Sequence, residues 1–178
     1  MSARRAAAWV LFFAALAVAG GGLLRGGSGG ERVTARLEAG RGARIDARVT
    51  RVVDGDTVKV RAGGRADTVR YIGVDTPESK RPGTPVQCFA LAASSYNARL
   101  VSGRDVVLRV GTEPRDRYGR LLAYVYRRGD GLFVNAALVR EGYATTLTIP
   151  PNVDHAGLFA ALQRRARAAD AGLWRACR

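Results

Sequence analysis

Histidine occurs once in these 178 residues, at His155, and that scarcity removes several chemistries at the outset. One imidazole cannot build paired-histidine acid and base catalysis or a multi-histidine zinc site. A serine triad would need the same histidine beside a nucleophile elbow, and the one Gly-x-Ser-x-Gly match, Gly26 to Gly30, falls in the glycine- and serine-rich stretch read as linker rather than at a strand-to-helix turn. His155 itself reads as a surface residue at a helix start. Hydrolytic chemistry, if present, must rest on carboxylates and arginines. Lysine is nearly as scarce, since Lys59 and Lys80 are the only two among 29 basic residues. The positive charge is therefore an arginine charge. Such an Arg, Ala and Gly bias can follow from genome composition, so the charge supports a polyanionic partner without proving one. No internal repeat is visible.

Cysteine is limited to Cys88 and Cys177. A disulfide between them is the favoured reading for a chain that leaves the reducing cytosol; two buried free thiols are the alternative. The loop-entropy model gives so long a closure roughly 4 to 5 kcal/mol.

Export is indicated by residues 1 to 24. Arg4 and Arg5 precede an uncharged stretch from Ala6 to Leu24, the pattern of a basic n-region and an apolar h-region. Ala17-Val18-Ala19 supplies small residues at the spacing a signal peptidase accepts, which would leave a mature chain starting near Gly20. The run also approaches the length of an uncleaved signal anchor, although glycines at 20, 21 and 22 weaken it as a helix. Either way the bulk of the protein is expected outside the cytoplasm, secreted or tethered to the membrane by this segment. The formal charge is +14, and removing Arg4 and Arg5 leaves +12, a strong field for so small a chain.

The length fits one domain with a short appendage. Residues 25 to 45, glycine- and serine-rich and then charged without periodicity, read as a mobile linker. Residues 46 to 178 read as the domain. Strand signals run from Ala47 to Val53, Val58 to Arg61 and Thr68 to Val74, with Gly63-Gly64 as a hairpin turn. Phe89 to Leu100 has helical spacing. Val106 to Val110 and Leu121 to Tyr126 read as strands, and Val134 to Glu141 and His155 to Ala169 as helices. Five strands with one helix inserted and two helices last give an α+β class, and a five-stranded barrel of the oligonucleotide-binding (OB) kind fits the count.

Three short motifs carry candidate chemistry. Asp54-Gly55-Asp56-Thr57 puts two acids on a tight turn, an oxygen-rich site suited to a hard cation such as calcium. Alone it is also an ordinary hairpin turn. Arg70-Tyr71-Ile72-Gly73-Val74-Asp75-Thr76-Pro77-Glu78 carries an arginine on a strand that ends in two carboxylates, and Pro77 keeps Thr76 extended. Asp75 on a metal and Glu78 on an attacking water is one division of labour. Asp116-Arg117-Tyr118-Gly119-Arg120 brings a second arginine to the start of the last strand. Cleavage of a phosphodiester builds negative charge on the phosphoryl oxygens, which guanidinium groups and a divalent cation stabilise.

Together with Val134-Asn135-Ala136-Ala137-Leu138-Val139-Arg140-Glu141-Gly142, these blocks resemble the staphylococcal nuclease family in order and approximate spacing, over about Arg48 to Trp174. The resemblance implies an OB-fold barrel with three helices. It also implies calcium-dependent hydrolysis of single- and double-stranded DNA and of RNA at the 5′ oxygen to phosphorus bond, with one bound ion; the oligomeric state is open in the sequence, with a monomer as the default. Carried over by position, Asp56 and Asp75 would bind calcium through carboxylates and Thr76 through its carbonyl. Arg70 and Arg120 would hold the scissile phosphate, and Glu78 would be the general base or orient the water. Asp54 would support the ligands from behind, and Tyr118 with Arg117 would sit near the bound nucleotide. Leu147-Thr148-Ile149-Pro150-Pro151 stands where the family has a tyrosine-rich segment that helps hold the base, so base stacking there is in doubt. The rival reading is a non-catalytic OB barrel binding single strands. Such a protein would have no need to keep acids beside a polyanion.

Overall fold

A computed structural model describes residues 36–79, 83 and 85–178. The signal-sequence reading of residues 1 to 24 and the first part of the linker lie outside these residues. The domain is the α+β, OB-type barrel expected, and its element order is β1 (Arg44–Val52), β2 (Thr57–Ala62), β3 (Arg65–Tyr71), β4 (Gly73–Asp75), α1 (Ala90–Val101), β5 (Asp105–Arg115), β6 (Leu121–Arg127), α2 (Val134–Arg140), β7 (Thr145–Leu147), α3 (Ala156–Ala168) and α4 (Leu173–Ala176). The four-residue α4 follows the three helices that the resemblance implied.

Strands β1, β2, β3, β6 and β5 close in that order into a barrel. The first three form an antiparallel meander, and β3 meets β6 in parallel. Alternation along the strands sends Val49, Val58, Val60, Val69, Leu108 and Leu121 into the interior, each almost wholly buried. Each such side chain contributes about 1.5 to 3 kcal/mol by leaving water. Leu138 from α2 and Phe159 from α3 cap the same core. Gly63 and Gly64 both have positive φ, the geometry of a two-residue hairpin turn.

Three sequence expectations need correction. The run from Thr68 to Val74 is not one strand: it breaks at Ile72, and Val74 and Asp75 pair with β7 in a separate two-stranded sheet. Gly73 causes the break, for its φ is +79° and a Cβ there would lie 2.4 Å from the Phe159 ring. Asn135 repairs the exposed ends, donating from Nδ2 to the Ile72 carbonyl at 2.8 Å while its Oδ1 accepts the Val125 N–H at 2.9 Å.

Residues 36 to 43, read as the end of a mobile linker, are pinned to the barrel. Leu37 is buried, its N–H donates to Asp67 at 3.2 Å, and its carbonyl accepts from Arg115 at 2.6 Å. Strand β1 begins at Arg44, inside the expected linker of residues 25 to 45. The third correction concerns His155, which does start α3 but is half-buried among rings rather than on the surface. Tyr124 and Phe133 lie edge-on to it at 4.6 and 4.9 Å, and its Nε2 is 3.3 Å from the Tyr126 hydroxyl. An aromatic contact set drawn from two other elements leaves no local trace in the sequence.

Candidate active site

The break at Gly73 is what assembles the site. It turns the chain so that Asp75 and Thr76, at the end of β4, come back to the turn between β1 and β2 where Asp56 sits. Asp56 is buried, and its Oδ2 accepts the Thr76 N–H at 2.8 Å and the Thr76 hydroxyl at 2.9 Å, while Thr57 donates to Oδ1 at 3.1 Å. Gly55 is required beside it because a Cβ would meet Thr76 Oγ1 at 2.6 Å.

Arg70, on β3, joins the two acids. Its Nη1 lies 2.9 Å from Asp56 Oδ2 and also donates to the Val74 carbonyl at 2.9 Å, and its Nη2 donates to Asp75 Oδ1 at 2.7 Å. Asp56 and Arg70 retain only 7% and 13% of their side-chain exposure, so this pair is screened far less than a surface pair. Asp75 is over half exposed. Burial raises the Asp75 pKa, the Arg70 charge opposes that rise, and the charges of Asp56 and Glu78 add to it.

Asp54 stands behind this pair. Its Oδ1 accepts the Asp56 N–H at 3.1 Å, and its pKa is pushed up to about 6, first by burial and then by the Asp56 charge. Helix α1 holds the turn from below through Asn97, a fully buried residue the sequence reading did not single out. Asn97 Nδ2 donates to the Asp54 carbonyl at 3.0 Å, and its Oδ1 accepts the Tyr71 hydroxyl at 3.0 Å. A polar residue on the buried face of a predicted helix was the only signal that could have found it.

Glu78 follows three residues after Asp75 and is clasped through its backbone. Its N–H donates to Gln87 Oε1 at 2.7 Å, and its carbonyl accepts the Gln87 N–H at 3.0 Å. Gln87 in turn precedes Cys88, which is disulfide-bonded to Cys177. The bridge thus ties the chain end to the loop that carries Glu78.

The second arginine arrives from the β5–β6 loop. Asp116 organises that loop, accepting the Tyr118 and Arg120 N–H groups at 3.0 and 2.9 Å and the Arg120 Nε at 2.7 Å. This aims the guanidinium, and Asp116 joins Asn97 as a residue whose part the sequence reading missed. Arg117 donates to the Tyr118 hydroxyl at 2.7 Å and lies over its ring, which is 64% exposed. Arg70, Arg117, Tyr118 and Arg120 then line one cavity of about 380 Å³. Leu147 and Ile149, from the segment lacking tyrosines, form an aliphatic wall of it. Asp54, Asp56, Asp75, Thr76 and Glu78 lie outside its lining, and Asp56 and Asp75 reach it through their contacts with Arg70.

The family described as staphylococcal nuclease homologue matches residues 68–176, from β3 through α4. A thermonuclease of Staphylococcus intermedius is 41% identical over 126 residues, covering 71% of this chain and 74% of that protein. The chain belongs to the staphylococcal nuclease family. The thermonuclease of Staphylococcus hyicus is 38% identical over 127 residues, with 71% and 74% covered. The endonuclease YncB of Bacillus subtilis is 39% identical over 132 residues, which span 73% of this chain and 62% of that longer protein. Within this family member, Arg70, Asp75, Glu78, Arg117, Tyr118 and Arg120 fall inside the matched region, whereas Asp54 and Asp56 precede it.

Among the described residues no three His, Cys, Asp or Glu side chains gather into a ready-made metal cage. What the site offers a cation is two carboxylates, Asp56 and Asp75, already drawn to one positive group, with the Thr76 backbone beside them. An all-oxygen set of this kind suits a hard divalent ion that keeps part of its water.

Proposed function

We propose that this chain is an exported, calcium-dependent endonuclease that hydrolyses DNA, single- or double-stranded, and RNA, breaking the 5′ oxygen to phosphorus bond to leave 3′-phosphate ends. The observation that carries the reading is Arg70. One guanidinium is held between Asp56 and Asp75 while facing the same cavity as Arg120. Two guanidinium groups on one cavity, with carboxylates behind, answer the charge that develops on a phosphoryl group under attack. The names thermonuclease and endonuclease on the relatives support the same reaction class.

In this reading Arg70 and Arg120 bind the scissile phosphate and hold it through the transition state. Glu78 takes the proton of the attacking water or orients it, and the 5′ oxygen departs as the new bond to phosphorus forms. Asp56 and Asp75 would hold one calcium ion with the Thr76 carbonyl, and Asp54 would support them. When bound, the ion supplies positive charge to the phosphoryl oxygens and to the water. Tyr118 and Arg117 flank the nucleotide, and the Leu147 and Ile149 wall replaces an aromatic platform. Loss of stacking weakens binding by about 1 to 3 kcal/mol per base, so affinity departs from that of the relatives more than reaction type does. The protein acts as a monomer, and the Cys88–Cys177 bridge agrees with an oxidising compartment.

The test is release of acid-soluble nucleotide from single-stranded DNA by the mature chain, with calcium and then with chelator. Calcium-dependent release that leaves 3′-phosphate ends supports the reading. A folded protein that binds DNA and never cuts it with any divalent cation would replace it with a binding module.

A further inference from the structure

The ring of Tyr118 does not end the basic surface. A second recess of about 300 Å³ shares Tyr118 and Arg120 with the first cavity and is lined further by Arg36, Lys59, Asp67 and Thr68. The two hollows differ in chemistry. Ile72, Val74, Leu122, Leu147 and Ile149 give the first a largely aliphatic wall, whereas three cationic side chains and three hydroxyl-bearing ones line the second.

Each cation in the second recess is placed by the fold. Lys59 points outward from β2 between the buried Val58 and Val60. Arg36 lies over the tip of the loop that carries Arg120: a Cβ on Gly119 would meet Arg36 Nη1 at 2.5 Å. Among the described residues neither Lys59 nor Arg36 takes part in an ion pair, so both charges stand available. The carboxylate in the wall, Asp67, is only 2% exposed and fully engaged. It accepts Arg115 at 2.7 and 3.3 Å, the Leu37 N–H at 3.2 Å and the Thr68 N–H at 2.8 Å. Its charge is neutralised by Arg115 and does not repel an anion in the recess.

We propose that this recess is a phosphate subsite for the continuing backbone of a single-stranded polynucleotide, with Lys59 and Arg36 as its cations and Tyr118 as the ridge separating it from the cleavage cavity. The proposal rests on the reading that the Arg70 and Arg120 cavity takes the scissile phosphate. Binding there is electrostatic and blind to base identity, because phosphate contacts position a strand and carry no sequence information. Only a substrate longer than the cleavage cavity reaches the subsite.

The experiment measures affinity by fluorescence anisotropy in chelator, so that nothing is cut. The probes are a dinucleotide and an oligonucleotide of about 12 residues, within the reach of one OB barrel, each as DNA and as RNA. Lys59→Ala and Arg36→Ala should each weaken the long probe about fivefold at about 0.1 M salt and lower the salt slope by about 0.7, the share of one single-strand phosphate. Dinucleotide affinity should stay unchanged, and Lys59→Arg should restore the long probe. Equal loss on both probes, or none on the long one, overturns the subsite; loss on one sugar type alone limits it to that polymer. Cleavage of the same probe by wild-type protein with calcium is scored separately. Absence of cutting with the length-dependent loss intact would overturn the nuclease reading and still support the subsite.

Discussion

Arg70 and Arg120 are assigned the same chemical role, yet the structure gives them different structural weight, and that difference can be measured. Arg70→Ala would leave Asp56 buried without its cation and free the Val74 carbonyl. Breaking a pair this buried costs about 3 to 5 kcal/mol, because a charge is stranded away from water. The contact with the half-exposed Asp75 adds little. With a urea slope of about 2 kcal/mol per molar, the unfolding midpoint should fall by about 2 M. Arg120 is a third exposed and its partner Asp116 sits in a loop, so Arg120→Ala should cost about 1 kcal/mol or less and move the midpoint by about 0.5 M. In cleavage, by contrast, both variants should lose at least about a hundredfold in rate, as expected when a group that stabilises transition-state charge is removed. Urea titrations followed by Trp174 fluorescence, paired with nucleotide release under conditions where each variant is folded, read both quantities. Equal losses of stability in the two variants, or an Arg120→Ala protein with near-normal calcium-dependent activity, would refute the reasoning.

Replacing Cys88 and Cys177 with serine should lower stability by about 4 to 5 kcal/mol, since the bridge spans 89 residues of chain; identical urea midpoints for oxidised and reduced wild type would contradict this. Gly55→Ala should cost about 1 to 3 kcal/mol by driving a methyl group into Thr76, and it should also slow cleavage by displacing Asp56; unchanged midpoint and rate would show that the turn yields. Burial, and then the charge of Asp154, pushes the Tyr124 pKa up to about 12 from its ordinary 10. The neutral ring therefore adds stability that is fully present below pH 10 and lost as pH rises to about 12. Tyr124→Phe should flatten that alkaline decline in urea midpoints, and a decline as steep as in wild type would assign it to other groups.

The sequence by itself determined the barrel and nominated residues for the candidate site. Val58, Val60 and Val69 alternate with polar residues, and alternation of period two is a local property that survives without any knowledge of what packs where. Asp56, Arg70, Asp75, Glu78 and Arg120 were legible because turn chemistry and short motifs confine them to a few positions. Tertiary structure alone decided how they meet. The break at Gly73 depends on the Phe159 ring from α3, about ninety residues on, and without it Asp75 would continue along the barrel instead of returning to Asp56. Asn97 and Asn135 serve the site by satisfying backbone groups on distant elements. The Asp67–Arg115 pair pins part of an apparent linker against the barrel. His155 is half-buried by rings from other elements. Each of these follows from contacts between residues far apart in the chain, and such contacts leave no periodicity for a single sequence to display.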